Sequence, residues 1–191
     1  MLRKIMILFV VLTFSLVFVA AQNVGIKTNA LYWATFTPNL GVEFPIGKKH
    51  TAQIFVGLNP WKQSGGDQSS IRHWLVMPEY HYWFCQNFNG WFLGVHAMGG
   101  QFNAGGVKLP LGIFKPLRDH RYEGWYVGGG VSAGYQWPLS KHWNLETSLG
   151  VGYDYIQYDK FECGTCGEKQ KSSHDNYLGP TKAALSLIYM L

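Results

Sequence analysis

Apolar and polar positions alternate with a period of two along most of this chain, and the alternation predicts strands. It is clearest from Trp143 to Tyr155. Trp143, Leu145, Thr147, Leu149, Val151, Tyr153 and Tyr155 share one face. Asn144, Glu146, Ser148, Gly150, Gly152 and Asp154 share the other. Trp125, Val127, Gly129, Val131, Ala133, Tyr135 and Trp137 oppose Gly128, Gly130, Ser132, Gly134 and Gln136 in the same way. Trp74, Val76, Tyr80, Tyr82 and Phe84 oppose Glu79 and His81, and Leu185, Leu187, Tyr189 and Leu191 oppose Lys182, Ala184 and Ser186. Shorter alternating runs surround Val42, Ile54 and Val95, with Glu43, Gln53 and His96 on their polar faces. The stretch from Val24 to Phe36 alternates poorly, and its register stays open. The pattern predicts about eight strands, long enough for the ~9–11 residues with which a tilted strand crosses a bilayer.

The connections alternate too. Gly47-Lys48-Lys49, Gln86 to Gly90 and Pro138 to Lys141 are short; Lys62 to Ile71, Asn103 to Glu123 and Asp159 to Leu178 are long. One connection on the long side, at Thr37-Pro38, is short. Short turns at one end and long loops at the other suit an outer-membrane β-barrel with both termini periplasmic. Aromatics fall near both strand ends. Trp74, Trp125 and Tyr155 lie toward the long loops, and Tyr82, Phe84, Trp91, Trp137, Trp143 and Tyr189 toward the short turns. That is the pattern of two interfacial girdles, where the core of a soluble sandwich would gather its aromatics at mid-strand.

Composition sharpens the picture. Aromatics make up 16% of the chain and charged residues only 14%, against about 25% charged in a typical soluble domain. The start reads as a leader. Arg3 and Lys4 precede an apolar run from Ile5 to Val19, and Val19-Ala20-Ala21 supplies small residues for cleavage before Gln22. Residues 1–21 are therefore expected to be a signal peptide and 22–191 the barrel domain. The mature part keeps 14 basic side chains against 11 acidic ones. They are scattered, with no basic run interleaved with aromatics, so nucleic acid is not an expected partner. Gly128-Gly129-Gly130 and Gly99-Gly100 precede no helix and lack phosphate-loop spacing, which argues against a nucleotide.

Several motifs resemble a Bacteroidetes family of outer-membrane β-barrels catalogued as a domain of unknown function. The likeness runs from Lys27-Thr28-Asn29 and Thr37-Pro38-Asn39-Leu40-Gly41-Val42-Glu43 through His73-Trp74-Leu75-Val76, Pro78-Glu79 and Tyr82-Trp83. It continues in Arg121-Tyr122-Glu123-Gly124-Trp125, Gly134-Tyr135-Gln136-Trp137 and Trp143-Asn144-Leu145-Glu146. It closes with Tyr158-Asp159-Lys160, Cys163-Gly164-Thr165-Cys166-Gly167 and Gly179-Pro180-Thr181-Lys182. The resemblance implies a barrel at the surface of a Gram-negative cell and no activity. It also implies a setting beside fimbrial components for some members.

Candidate chemistry is sparse. Cys163 and Cys166 lie in the last predicted outer loop, where a loop disulfide is the first reading. Half of a zinc site, with His174 as a third ligand, and free thiols are the others. Cys85 falls at the opposite end. The inward polar set comprises Glu43, Gln53, Glu79, His81, His96, Glu146, Asp154 and Lys182. An eight-stranded barrel has a lumen just filled by side chains, so these groups are expected to satisfy one another as a hydrogen-bonded plug. Glu79 and His81 could instead serve a lipid-modifying enzyme, and a narrow pore is the third reading. No catalytic residue and no cofactor is assigned. Function is expected in the outer loops. The 103–123 stretch mixes Lys108, Lys115, Arg118, His120 and Arg121 with Leu109, Leu111, Ile113, Phe114 and Leu117, which suits lipopolysaccharide or a surface protein, and the 159–178 stretch is its neighbour.

Overall fold

A computed structural model describes residues 24–61, 70–105, 121–161 and 169–191. Eight antiparallel strands follow one another in chain order: β1 Gly25–Asn29, β2 Asn39–Gly47, β3 His50–Asn59, β4 Ser70–Trp83, β5 Gly90–Gly105, β6 Arg121–Pro138, β7 Trp143–Phe161 and β8 Lys169–Met190. Each pairs with its neighbour, and β8 returns to β1 with Gly25 opposite Met190 and Asn29 opposite Ser186, so the sheet closes into a ring. Both described chain ends meet at the short-turn end, where the Leu191 N–H donates to the Val24 carbonyl at 3.0 Å. No helix among the described residues is long and apolar enough to cross a membrane, which says nothing about a barrel.

The alternating faces fall as the period-two pattern predicts, because successive side chains of a strand point to opposite sides. Leu40, Val42, Ile54, Val56, Leu93, Val95, Val131, Leu149 and Val151 are exposed on the outer wall. Glu43, Gln53, Glu79, His81, His96, Glu146, Asp154 and Lys182 are buried in the lumen. The lumen also holds two apolar layers. Trp83, Phe88 and Phe92 pack together near the short turns, joined by Met190. Phe55, Leu75 and Met77 pack further up, with Tyr32, Met98 and Tyr126 against them. Phe88 takes a left-handed backbone (φ 62°) in the turn after β4 to reach its layer.

Three expectations need correcting. The poorly alternating first segment is not one strand. β1 ends at Asn29, and a short helix, α1 (Ala30–Ala34), follows it. Asn29 accepts from the Leu31 N–H at 3.1 Å, a capping contact that turns the chain out of the sheet. Second, most of the predicted 159–178 loop is strand. β7 runs to Phe161 and β8 begins at Lys169, with Asp159 opposite Ser172 and Tyr153 opposite Leu178. Polar residues conceal this hairpin, because neither of its faces is covered by an apolar partner. Third, the predicted 103–123 loop starts and ends in strand, with Asn103 opposite Glu123 and Gly105 opposite Arg121. Its middle, 106–120, lies outside the described residues, as do the 1–21 leader and the Cys163–Cys166 pair. The rim is therefore uneven: β6, β7 and β8 have 18, 19 and 22 residues, whereas β1 has 5.

Candidate functional site

The charged side chains of the lumen form one connected array. Lys27 enters from β1, its Nζ 2.6 Å from Glu43 Oε2 and 2.9 Å from Glu146 Oε2. Glu43, on β2, accepts from Thr51 through Oε1 at 2.5 Å, and the same oxygen lies 2.9 Å from His81 Nδ1. The other ring nitrogen of His81 is 3.2 Å from Glu79 Oε2, at an angle too oblique for a good hydrogen bond. Glu79 accepts from Ser132 through Oε1 at 2.6 Å and pairs with Lys182 through Oε2 at 2.5 Å. Gln53 Nε2 also donates to that Oε2 at 3.3 Å. Glu146, Lys27, Glu43, His81, Glu79 and Lys182 thus run across the lumen from β7 through β1, β2 and β4 to β8. A carboxylate faces each ring nitrogen of His81, and an imidazolium carries a donor at each of those positions. In that state three cations balance three carboxylates.

Local sequence features position these groups. Gly41 lies beneath Lys27: a Cβ there would come within 2.6 Å of Lys27 Cγ. Gly94 is closer still to the array. Its Cβ would collide with Ser132 Oγ and sit 2.6 Å from Glu79 Oε1 and 3.0 Å from His81. The bulge in β8 places Lys182 opposite Gly150 and Pro180 opposite Val151, leaving Thr181 as the extra residue. Thr181 Oγ1 then meets His96 Nε2 at 2.9 Å.

The array is sealed. His81, Glu43, Glu79, Lys27 and Glu146 are all buried. Below them His81 lies against Phe92, ring centroids 4.4 Å apart, and Trp83 donates its indole N–H to Thr51 at 2.9 Å. Above them lies the layer of Phe55, Leu75 and Met77. A small space of about 10 Å³, bordered by Lys27, Gln53, Phe55, Glu146 and Lys182, has room for about one water.

Of the polar residues singled out in the sequence, Glu43, Gln53, Glu79, His81, Glu146 and Lys182 come together. His96 and Asp154 do not bond to the array. His96 meets Thr181, and Asp154 Oδ1 has no hydrogen-bond partner among the described residues. Three members of the array escaped the sequence reading: Lys27, Thr51 and Ser132. Lys27 was hidden because β1 is too short to display alternation. Ser132 was legible as inward-facing, but only the sheet closure brings it to Glu79. Ser132 does not complete a nucleophilic triad, because its hydroxyl donates to the carboxylate and not to His81. Cys85 is exposed in the turn after β4.

Residues 6–191 match the family model described as a protein of unknown function, DUF3575. The chain belongs to that family. No curated protein and no solved structure matches it. For this DUF3575 member the lumen array and the uneven rim are therefore the features from which function must be argued.

Proposed function

We propose that this protein is a non-enzymatic β-barrel of the outer membrane of a Gram-negative bacterium, of the Bacteroidetes kind its motifs resemble. Its termini face the periplasm, and its outer rim binds or anchors another surface component, fimbrial or lipopolysaccharide. One observation carries the membrane reading: the molecule is inside out. Leu40, Ile54, Val95, Val131, Leu149 and Val151 face outward and exposed, while lysines and glutamates fill the centre. Soluble monomers rarely leave a contiguous apolar band of this kind uncovered, and lipid covers it at no cost. Exposed Tyr82, Phe84, Trp91, Trp137, Trp143 and Tyr189 border the band on the short-turn side, and Trp74, Trp125 and Tyr153 on the other.

The lumen supports a closed plug in place of a pore. Two apolar layers flank a charge array whose members are already paired with one another. The same sealing speaks against a lipid-modifying site at His81, since no substrate atom could reach the ring. With the interior occupied in holding the barrel together, the outer rim is what remains free to bind a partner.

Refolding the full mature chain into lipid vesicles tests the location. The expected product is a band whose gel mobility changes on heating; a stable monomer in detergent-free buffer would defeat the reading. Planar-bilayer recordings should be silent, and steady channels would refute the plug. Cells carrying His81→Ala should show unaltered lipid A mass, whereas a mass change would establish the enzyme instead. Outer-membrane pull-downs with and without residues 106–120 test the rim, and an unchanged set of bound components would remove that loop from the contact.

A further inference from the structure

Among the described residues, β8 carries an unpaired strand edge where the ring opens toward the long loops. On the side facing β1, β8 is paired only from Ser186 to Met190, because β1 leaves the sheet at Asn29. The Asn29 side chain covers the next two edge groups, accepting from the Leu185 N–H at 3.1 Å and donating to the Ala183 carbonyl at 3.1 Å. Pro180 has no N–H to offer, and its carbonyl accepts from the Tyr177 hydroxyl at 3.2 Å. From Gly179 up to Lys169, β8 stays paired with β7 on its other side. Among the described residues no strand pairs with this run on the β1 side. It spans roughly 30–35 Å at about 3.3 Å per residue, and such an edge presents a row of backbone donors and acceptors in fixed register.

We propose that this edge is a strand-addition site for an extended segment of another protein, which runs antiparallel to β8 along residues 169–179. The inference rests on the outer-membrane reading in one respect, the preference over a second copy. Two copies inserted the same way in one membrane bring their β8 edges together running in the same direction. Pairing in that direction is less stable per residue than antiparallel pairing, so the edge favours a segment free to run antiparallel over a second copy. A segment of a different polypeptide has no such restriction.

The chemistry of the edge specifies the segment. Near its lower end Leu178 is 82% exposed beside the paired Tyr153, a site for an apolar side chain. Near its upper end Lys171 stands directly opposite Lys160, and like charges at facing positions destabilise a sheet. An acidic residue on the incoming strand relieves that repulsion. An antiparallel segment begins at Leu178 and ends at Lys171, so its apolar residue comes early and its acidic residues come late.

The test uses the full mature chain folded in detergent micelles. The probe is a synthetic dodecapeptide of alternating valine and threonine with two glutamates at its C-terminal end. Two versions carry N-methyl groups on alternate amides, one set odd and the other even. Fluorescence anisotropy should show one version weakened by at least about tenfold and the other by less than about twofold, since alternate amides of a strand face the same neighbour. Lys171→Glu should weaken the unmethylated peptide severalfold, and amides of residues 169–179 should gain exchange protection when it binds. Equal effects of both methylated sets, no binding, or no protection of those amides would overturn strand addition. With Cys85, Cys163 and Cys166 replaced by Ser, Asn176→Cys in vesicles checks the occupant: disulfide-linked dimers through β8 would show that a second copy takes the edge. Failure to insert into lipid, with the peptide still bound in micelles, would defeat the membrane reading alone.

Discussion

Replacing Lys27 by Met is the sharpest probe of the lumen, because the structure puts a magnitude on it. Met nearly matches the length of the lysine and removes the charge. Lys27 Nζ lies 2.6 Å from Glu43 and 2.9 Å from Glu146, so the two carboxylate oxygens are within about 5.5 Å of one another. At an effective dielectric of ~20, two negative charges at that separation repel by about 3 kcal/mol. Breaking a buried ion pair from one side typically costs ~3–5 kcal/mol, which agrees. The variant should therefore lose about 3–5 kcal/mol in urea unfolding from lipid vesicles, followed by the summed tryptophan fluorescence. Lys27→Met with Glu146→Gln removes one of the two stranded charges. Glu43 and Glu79 are then left with His81 and Lys182, and the double variant should be about 2–3 kcal/mol more stable than Lys27→Met alone. A single variant within ~1 kcal/mol of the parent, or a double variant as unstable as the sum of its parts, would refute the reasoning.

Gly94→Ala should destabilise the barrel by about 1–3 kcal/mol in the same assay, because the added methyl meets Ser132 and Glu79 in a filled space; in the Ser132→Ala background the penalty should shrink. Asn29→Ala should cost about 2 kcal/mol, since Leu31, Ala183 and Leu185 each lose a hydrogen-bond partner; unchanged amide exchange at Leu185 would contradict it. Asp159 lies in the β7–β8 hairpin beyond the aromatic band. Hydrogen bonds from Lys169 and then Ser172 hold its carboxyl below the usual carboxylate range. A depressed carboxylate contributes its small stabilisation above the ordinary value and loses it as pH falls through the depressed one. Carbon NMR titration should find the Asp159 midpoint low and rising toward normal in Lys169→Ala, and no change would contradict the pairing.

The alternation of side chains was enough to assign faces along most of the chain. Trp143 to Tyr155 shows why: covalent geometry sends neighbours to opposite sides, so a one-residue error would turn Glu146 and Asp154 to the outer wall. The strand count and the nearness of the two chain ends followed from the same periodicity and from the connection lengths. Membership of a family of unknown function was also legible, and the family match agrees with that part of the likeness. What sits opposite what was not legible. Lys27 meets Glu146 and Lys182 meets Glu79 across 119 and 103 residues of chain. Those meetings depend on the stagger of all eight strands and on the bulge beside Thr181, which no local pattern encodes. The five-residue β1 and the polar β7–β8 hairpin were misread for a related reason. Periodicity reports a face only where one side is buried against something, and neither stretch offered enough of that contrast. Faces are a local consequence of backbone geometry, whereas the charge array and the stretch of β8 that β1 does not pair exist only because the ring closes at one height and not at another.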